Sequence, residues 1–228
     1  MGFVVPFFLK VERPGMCFMK IVNLTLNSTV YTSNVYLITG TSNDLESVNT
    51  LVDVGRDPAI VDKIYNSSTG VGKKRIEQVV LTHSHYDHSS LLSRIRQDFN
   101  PVVRAWAKSL GGVDRYLHDG EHIKIGDRLF EVIYSPCHSN DSVMFYCEED
   151  RLMFTGDNEL LNLSGNGTYI PEFIQLLQKL DMLEIDTIFP GHGKPIVKGV
   201  RDGIRRSVKN IGGVKYGSIL KTSKSYND

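Results

Sequence analysis

Residues 81–90, LTHSHYDHSS, hold His83, His85, Asp87 and His88, three of the seven histidines in a chain of 228 residues. Imidazole and carboxylate groups gathered this closely make either a polar loop or a set of ligands for a transition metal. His83 and His85 stand two positions apart at the end of an apolar run, so in extended backbone both turn to one side. Asp87 and His88 fall where an amphipathic helix begins and approach the same space from another direction. A two-metal centre needs more than these four, because each Zn²⁺ takes three or four protein ligands. Further ligands are expected where other apolar strands end in turns. His138 in VIYSPCHSNDS, Asp157 in LMFTGDN and His192 in TIFPGHG meet that description. Glycine, proline or serine beside each lets the backbone bend and aim a side chain inward. His118 and His122, in YLHDGEHIKIG, fit no ligand pattern and are expected at the surface.

The elements that would position these groups alternate along the chain. MKIVNLTL (19–26) and NVYLIT (34–39) read as paired strands, and TLVDVG as a buried strand ending at Asp53 and Gly55. A helix over about 58–68 precedes the strand EQVVLTH. Leu91, Leu92 and Ile95 share one helical face, which predicts a helix over 87–98 that starts inside the histidine cluster. VVRAWA follows, then strands near 129–134, 143–147 and 151–155. Phe173, Leu176, Leu177, Leu180 and Leu183 make one helical stripe behind Pro171, which suits a first turn. DTIFPG closes that unit, and a last helix spans roughly 199–210. No linker or repeat divides the chain, so one layered α/β domain over 1–228 is expected, with 1–18 a dispensable extension.

Composition narrows the partners. Charged residues make up 23% and balance to zero, which gives the whole molecule no electrostatic reason to bind nucleic acid. The local exception is the end of the chain, where Arg201, Arg205, Arg206 and Lys209 recur at helical spacing. Those charges are expected to face solvent, with Arg205 the candidate contact for an anionic substrate. Cys17, Cys137 and Cys147 are odd in number and form no C-x-x-C pair, which favours a reducing, cytoplasmic setting. The opening MGFVVPFFLK is too short to span a membrane and lacks the basic start of a secretory signal. The expected partner is therefore a small-molecule substrate, and the expected assembly admits a homodimer.

The string His-x-His-x-Asp-His at 83–88, with the later SPCHS, FTGD and FPGHG and the early VDVG, resembles in order and spacing the metallo-β-lactamase-fold hydrolases, in their glyoxalase II-like and lactonase-like branch. The resemblance runs from Val35 to Pro195 and implies a four-layer αββα sandwich with the active site along one edge of two mixed sheets. It implies that His83, His85 and His138 bind a first metal, that Asp87, His88 and His192 bind a second, and that Asp157 bridges them. The implied cofactor is Zn²⁺, two per chain, with Fe or Mn as alternatives. Asp53 matches an aspartate that orients a ligand histidine or a metal-bound water. Two positions depart from the family: Ser89-Ser90 where Gly-Gly is common, and Cys137 where Gly is usual.

The implied reaction is hydrolysis by a hydroxide shared between the metals, with Asp87 orienting the nucleophile and returning a proton. The short stretch after His192 argues against a dedicated glutathione thioesterase, and there is no inserted domain of the kind family nucleases carry. A small ester, thioester or lactone is the expected substrate. Tyr169, in the loop NELLNLSGNGTY after Asp157, is a candidate to reach a substrate oxygen. A di-metal phosphodiesterase or ribonuclease, a mono-iron oxygenase of the persulfide dioxygenase type, and a non-catalytic metal scaffold stay open as alternatives.

Overall fold

Strands in this chain bury alternate side chains on opposite faces, and that period of two builds two sheets with three cores. The computed structural model describes residues 19–211, apart from 43, 44, 166 and 168. The 1–18 extension, Cys17 and the end of the basic tail lie outside the described residues. The first sheet has six strands in chain order: β1 (Lys20–Asn23), β2 (Tyr36–Thr39), β3 (Thr50–Val52), β4 (Gln78–Val80), β5 (Val102–Ala105) and β6 (Arg115–Tyr116). The first three are antiparallel neighbours, and β3 to β6 run parallel. The second sheet contains β7 (His122–Ile125), β8 (Arg128–Tyr134), β9 (Val143–Cys147), β10 (Leu152–Gly156) and β11 (Thr187–Pro190), in the order β11-β10-β9-β8-β7.

Tyr36, Ile38, Val52 and Val80 of the first sheet pack with Phe130, Val132, Phe145, Phe154 and Phe189 of the second, filling the space between the sheets. Their sequence neighbours point the other way. Leu37, Leu51 and Val79 meet α1 (Ala59–Tyr65) and α3 (Leu92–Phe99), while Met144, Met153 and Ile188 meet α4 (Pro171–Asp181) and α5 (Val200–Ile211). The layers therefore run helix, sheet, sheet, helix, as the resemblance implied. In α4, Pro171 occupies the first turn and Phe173, Ile174, Leu176, Leu177 and Leu180 are buried at helical spacing. Each such side chain contributes about 1.5–3 kcal/mol of burial. Leu183 lies past the end of α4 yet still packs on that cluster.

Two local expectations shift, and one short strand was not expected. The first strand stops at Asn23, because residues 24–27 turn and Asn27 adopts a left-handed φ of 66°. The helix expected over 87–98 divides into α2 (Tyr86–Ser89) and α3. Between them Ser90 Oγ donates to Gly55 O at 3.0 Å and Leu91 N to the same oxygen at 3.2 Å, which diverts the backbone. The two-residue β6 carries no sequence signal of its own.

Strand direction is what positions the site. β3 and β4 are parallel, and so are β10 and β11. β8 is antiparallel to β9, which is antiparallel to β10, so β8 runs the same way as β10. The carboxyl ends of all five strands meet along one edge.

Candidate metal centre

Every residue of the expected ligand set lies just past one of those strand ends or in α2. His83 follows β4 and is buried, whereas His85, at the start of α2, and His138, after β8, are exposed. The three rings stand edge to face, with centroids 4.6–4.8 Å apart, and His138 Nε2 lies 2.9 Å from His85 Nδ1. A second set comprises Asp87 and His88 from α2, Asp157 after β10 and His192 after β11. Within each set the donor atoms lie within 4.8 Å of one another. Asp157 stands between the sets. Its Oδ1 is 3.2 Å from His88 Nε2, and its Oδ2 is 3.5 Å from His192 Nε2 and 3.6 Å from His138 Nε2.

The donor set fits a pair of divalent cations. His83 Nε2, His88 Nε2, His192 Nε2 and Asp157 Oδ1 are all buried and make no hydrogen bond of good geometry, although His88 and His192 each face a carboxylate oxygen at 3.0–3.2 Å. Unsatisfied buried polar atoms are costly, so four of them converging on one space call for a ligand common to them. Imidazole nitrogens with carboxylate oxygens are a suitable environment for zinc and other first-row divalent metals. Gly191 keeps the second set open, since a Cβ there would run into Asp157 Oδ1 and lie 2.8 Å from His88 Cε1.

Asp53 orients this machinery from a left-handed backbone with φ of 60°. Its Oδ1 accepts from Thr82 N at 2.8 Å and its Oδ2 from Thr82 Oγ1 at 2.9 Å. Oδ2 also lies 2.8 Å from His88 Nδ1, so a proton held there leaves the Nε2 lone pair directed at the metal space. Electrostatics follow the same geometry. Burial pushes His83 down to about 4, and the neighbouring His88 adds to the effect. Burial also opposes charge on His88, but Asp53 and Asp157 outweigh it and raise His88 to about 10. Against its own burial, Asp157 is held well below the usual carboxylate range by His192 and His88. The carboxylates thus favour positive charge where a cation would bind, and metal loading must displace the proton on His88.

Several supporting residues went unrecognised in the sequence. Thr82 Oγ1 touches His83 Nδ1 at 3.1 Å as well as donating to Asp53. Asp141 Oδ2 accepts from Ser84 N at 2.8 Å, tying the loop that carries His138 to the histidine cluster. Asn34 fastens the other side: its backbone N–H donates to Gly191 O at 2.6 Å and its amide to Pro190 O at 2.9 Å. Tyr31 lies nearly parallel to the His192 ring, 5.5 Å between centroids. Only Asp141, three positions after His138, had a visible signal. At the family departures, Ser89 Oγ donates to Ser84 O at 2.9 Å and Ser90 Oγ to Gly55 O, so both hydroxyls are used by the loop backbone. His118 and His122 are exposed and lie outside both sets.

A cleft of about 710 Å³ opens beside Asp157, His138 and His192. Tyr169 and Cys137 line it. The Tyr169 hydroxyl donates to Ser164 O at 2.9 Å and its ring tilts against Phe173, 5.7 Å between centroids. Arg205 is not brought there. Because α5 buries Gly203, Ile204 and Ser207, Arg205 faces outward, with Nε 3.6 Å from Asp181 Oδ1. Arg201 pairs with Glu184 and Asp186, and Arg206 Nε donates to Asn162 Oδ1 at 2.9 Å.

Known proteins resemble this chain. The family described as the metallo-beta-lactamase superfamily matches residues 28–192. A probable hydroxyacylglutathione hydrolase of Schizosaccharomyces pombe is 31% identical over 156 residues, covering 62% of this chain and 61% of that protein. An atrochrysone carboxyl ACP thioesterase of Aspergillus fumigatus is 26% identical over 165 residues, 69% of this chain and 51% of the relative. The chain therefore spans about half to three-fifths of the length of these relatives. Among solved structures, ETHE1 from Myxococcus xanthus superposes with a TM-score of 0.64 at 18% identity, covering 85% of this chain and 88% of its own. With the profile match extending from the loop before β2 to the last ligand, the chain belongs to the metallo-beta-lactamase superfamily.

Proposed function

We propose that the protein is a metal-dependent hydrolase, using two zinc ions to cleave a small acyl thioester or a related ester or lactone. The observation that carries this reading is the convergence of four buried donor atoms, none in a hydrogen bond of good geometry, in two sets joined by Asp157. Bound there, divalent cations would supply Lewis acidity and lower the pKa of a coordinated water. The chain's own residues do the rest. Asp53 fixes the tautomer of His88, and Asp157 holds the two sets in register. Asp87, with Oδ2 3.0 Å from His192 Nε2, is the carboxylate placed to orient a water and to take up and return its proton. Thioesters lead among the substrates because the relatives named above include a hydroxyacylglutathione hydrolase and an ACP thioesterase.

The test is metal content by mass spectrometry, followed by hydrolysis of acyl thioesters, esters, lactones and bis(p-nitrophenyl) phosphate. Two equivalents of metal and turnover of acyl compounds are expected, both lost with Asp157→Ala. Turnover of the phosphodiester alone would overturn the acyl reading, and one iron per chain with oxygen consumption would overturn hydrolysis.

A further inference from the structure

We propose that the cleft beside the metal centre is an acyl-chain site, and that the preferred substrate carries an apolar acyl group of several carbons. The inference rests on the hydrolase reading above and names the substrate class for it. Leu160, Leu161, Leu163, Phe173, Ile188 and Ile196 form its apolar wall, and His138, Asp157 and His192 stand at its metal end. Among the described residues that line it, none is Lys or Arg. Away from the metal end, a carboxylate or phosphate would find no Lys or Arg in the cleft and would meet Glu159 instead, so the charged part of a thiol carrier belongs outside it and the acyl group within. A volume of about 710 Å³ is far more than an acetyl group needs and lies in the ordinary range of small-molecule sites.

The cleft is also built rather than incidental. Its roof, residues 160–163, is fastened to α5 at successive residues. Leu163 N donates to Ser207 Oγ at 3.0 Å, Asn210 Nδ2 donates to Leu163 O at 2.8 Å, and Arg206 holds Asn162. Gly203 lets Leu161 lie close, since a Cβ there would sit 3.0 Å from Leu161 Cδ2. The helix that looked in sequence like a basic surface thus serves as a strut. A preformed apolar wall binds a chain without first being ordered, which is the condition for chain length to count in the affinity.

The experiment uses the metal-loaded protein and a series of N-acetylcysteamine thioesters from acetyl to octanoyl, which share one neutral leaving thiol. Values of kcat/KM are expected to rise about fourfold per added methylene until the cleft is full. Leu161→Asp, at a half-buried position that tolerates a polar side chain, is expected to lower the hexanoyl-to-acetyl ratio of kcat/KM tenfold or more. Calorimetry with the non-hydrolysable S-methyl and S-hexyl thioethers of N-acetylcysteamine reads the site without turnover, and the hexyl compound should bind more tightly. A flat or falling length series, or an unchanged ratio in Leu161→Asp, overturns the acyl site while leaving the hydrolase intact. If no thioester is hydrolysed, the proposed reaction fails. The acyl site then stands on tighter binding of the hexyl thioether and falls if the two thioethers bind equally.

Discussion

Asp53 makes the clearest demand on a single atom. Its Oδ2 faces His88 Nδ1 at 2.8 Å, and an acceptor is required there for Nε2 to present a lone pair. In Asp53→Asn the backbone amide of Thr82 keeps a carbonyl acceptor, but the new NH₂ faces Nδ1 and favours a proton on Nε2. Zinc affinity of the second set should fall about 10–100-fold with the fold retained, as read by chelator competition and circular dichroism. Asp87→Asn should lower kcat by about 10²–10⁴-fold, the usual worth of a general base. His118→Ala and His122→Ala should leave it unchanged, and an equal loss at either would move the reaction away from the two sets. That the seven candidate ligands gather in two sets was legible because histidine and aspartate at the ends of apolar strands are informative residue types, and Asp53 was marked by the family resemblance. Tyr31 and Asn34 were not, since a tyrosine and an asparagine in a polar turn carry no mark of which distant loop they will touch. Arg205 illustrates the converse: charge was visible, but the direction it faces depends on which residues of α5 are buried.

Among elements, the strand ends decide most. Gly156 closes β10 with a φ of 52°, and a Cβ there would lie 2.8 Å from the Thr82 side chain. Gly156→Ala should therefore destabilise the protein by about 1–3 kcal/mol, seen as a lower midpoint in urea. Gly191→Ala acts differently, because its Cβ meets the candidate ligands Asp157 and His88 themselves rather than Thr82, which only supports them. It should cost metal more than stability, a contrast that parallel metal titration and unfolding will resolve. The strands were readable from apolar runs and the long helices from their stripes. The break between α2 and α3 was not, because it depends on hydrogen bonds to Gly55, which sits far away in sequence.

For the molecule as a whole, the candidate ligands come from both sheets: His83, His85, Asp87 and His88 from the first, His138, Asp157 and His192 from the second. Metal should therefore bind the folded state alone, adding about 2.7 kcal/mol at a hundredfold excess over Kd, and chelation should lower Tm accordingly. A separate pH limit comes from a half-buried thiol in the cleft wall and a buried one in the core. Burial raises the thiols of Cys137 and Cys147 from the ordinary 9.0 to about 11 and about 12. The folded protein keeps those protons where the unfolded chain loses them, so this stability is complete below about pH 9 and is lost as pH climbs through the folded values. Melting of the metal-loaded protein between pH 7 and 11 should show the decline, and Cys147→Val should make it shallower. The roof strutted by α5 has an import of another kind. Among the described residues, none of the candidate ligands falls between 158 and 170, so this stretch is free to diverge without touching the metal sets. Under the proposed acyl site, a graft of the segment from a relative should carry selectivity with it and leave the chemistry unchanged.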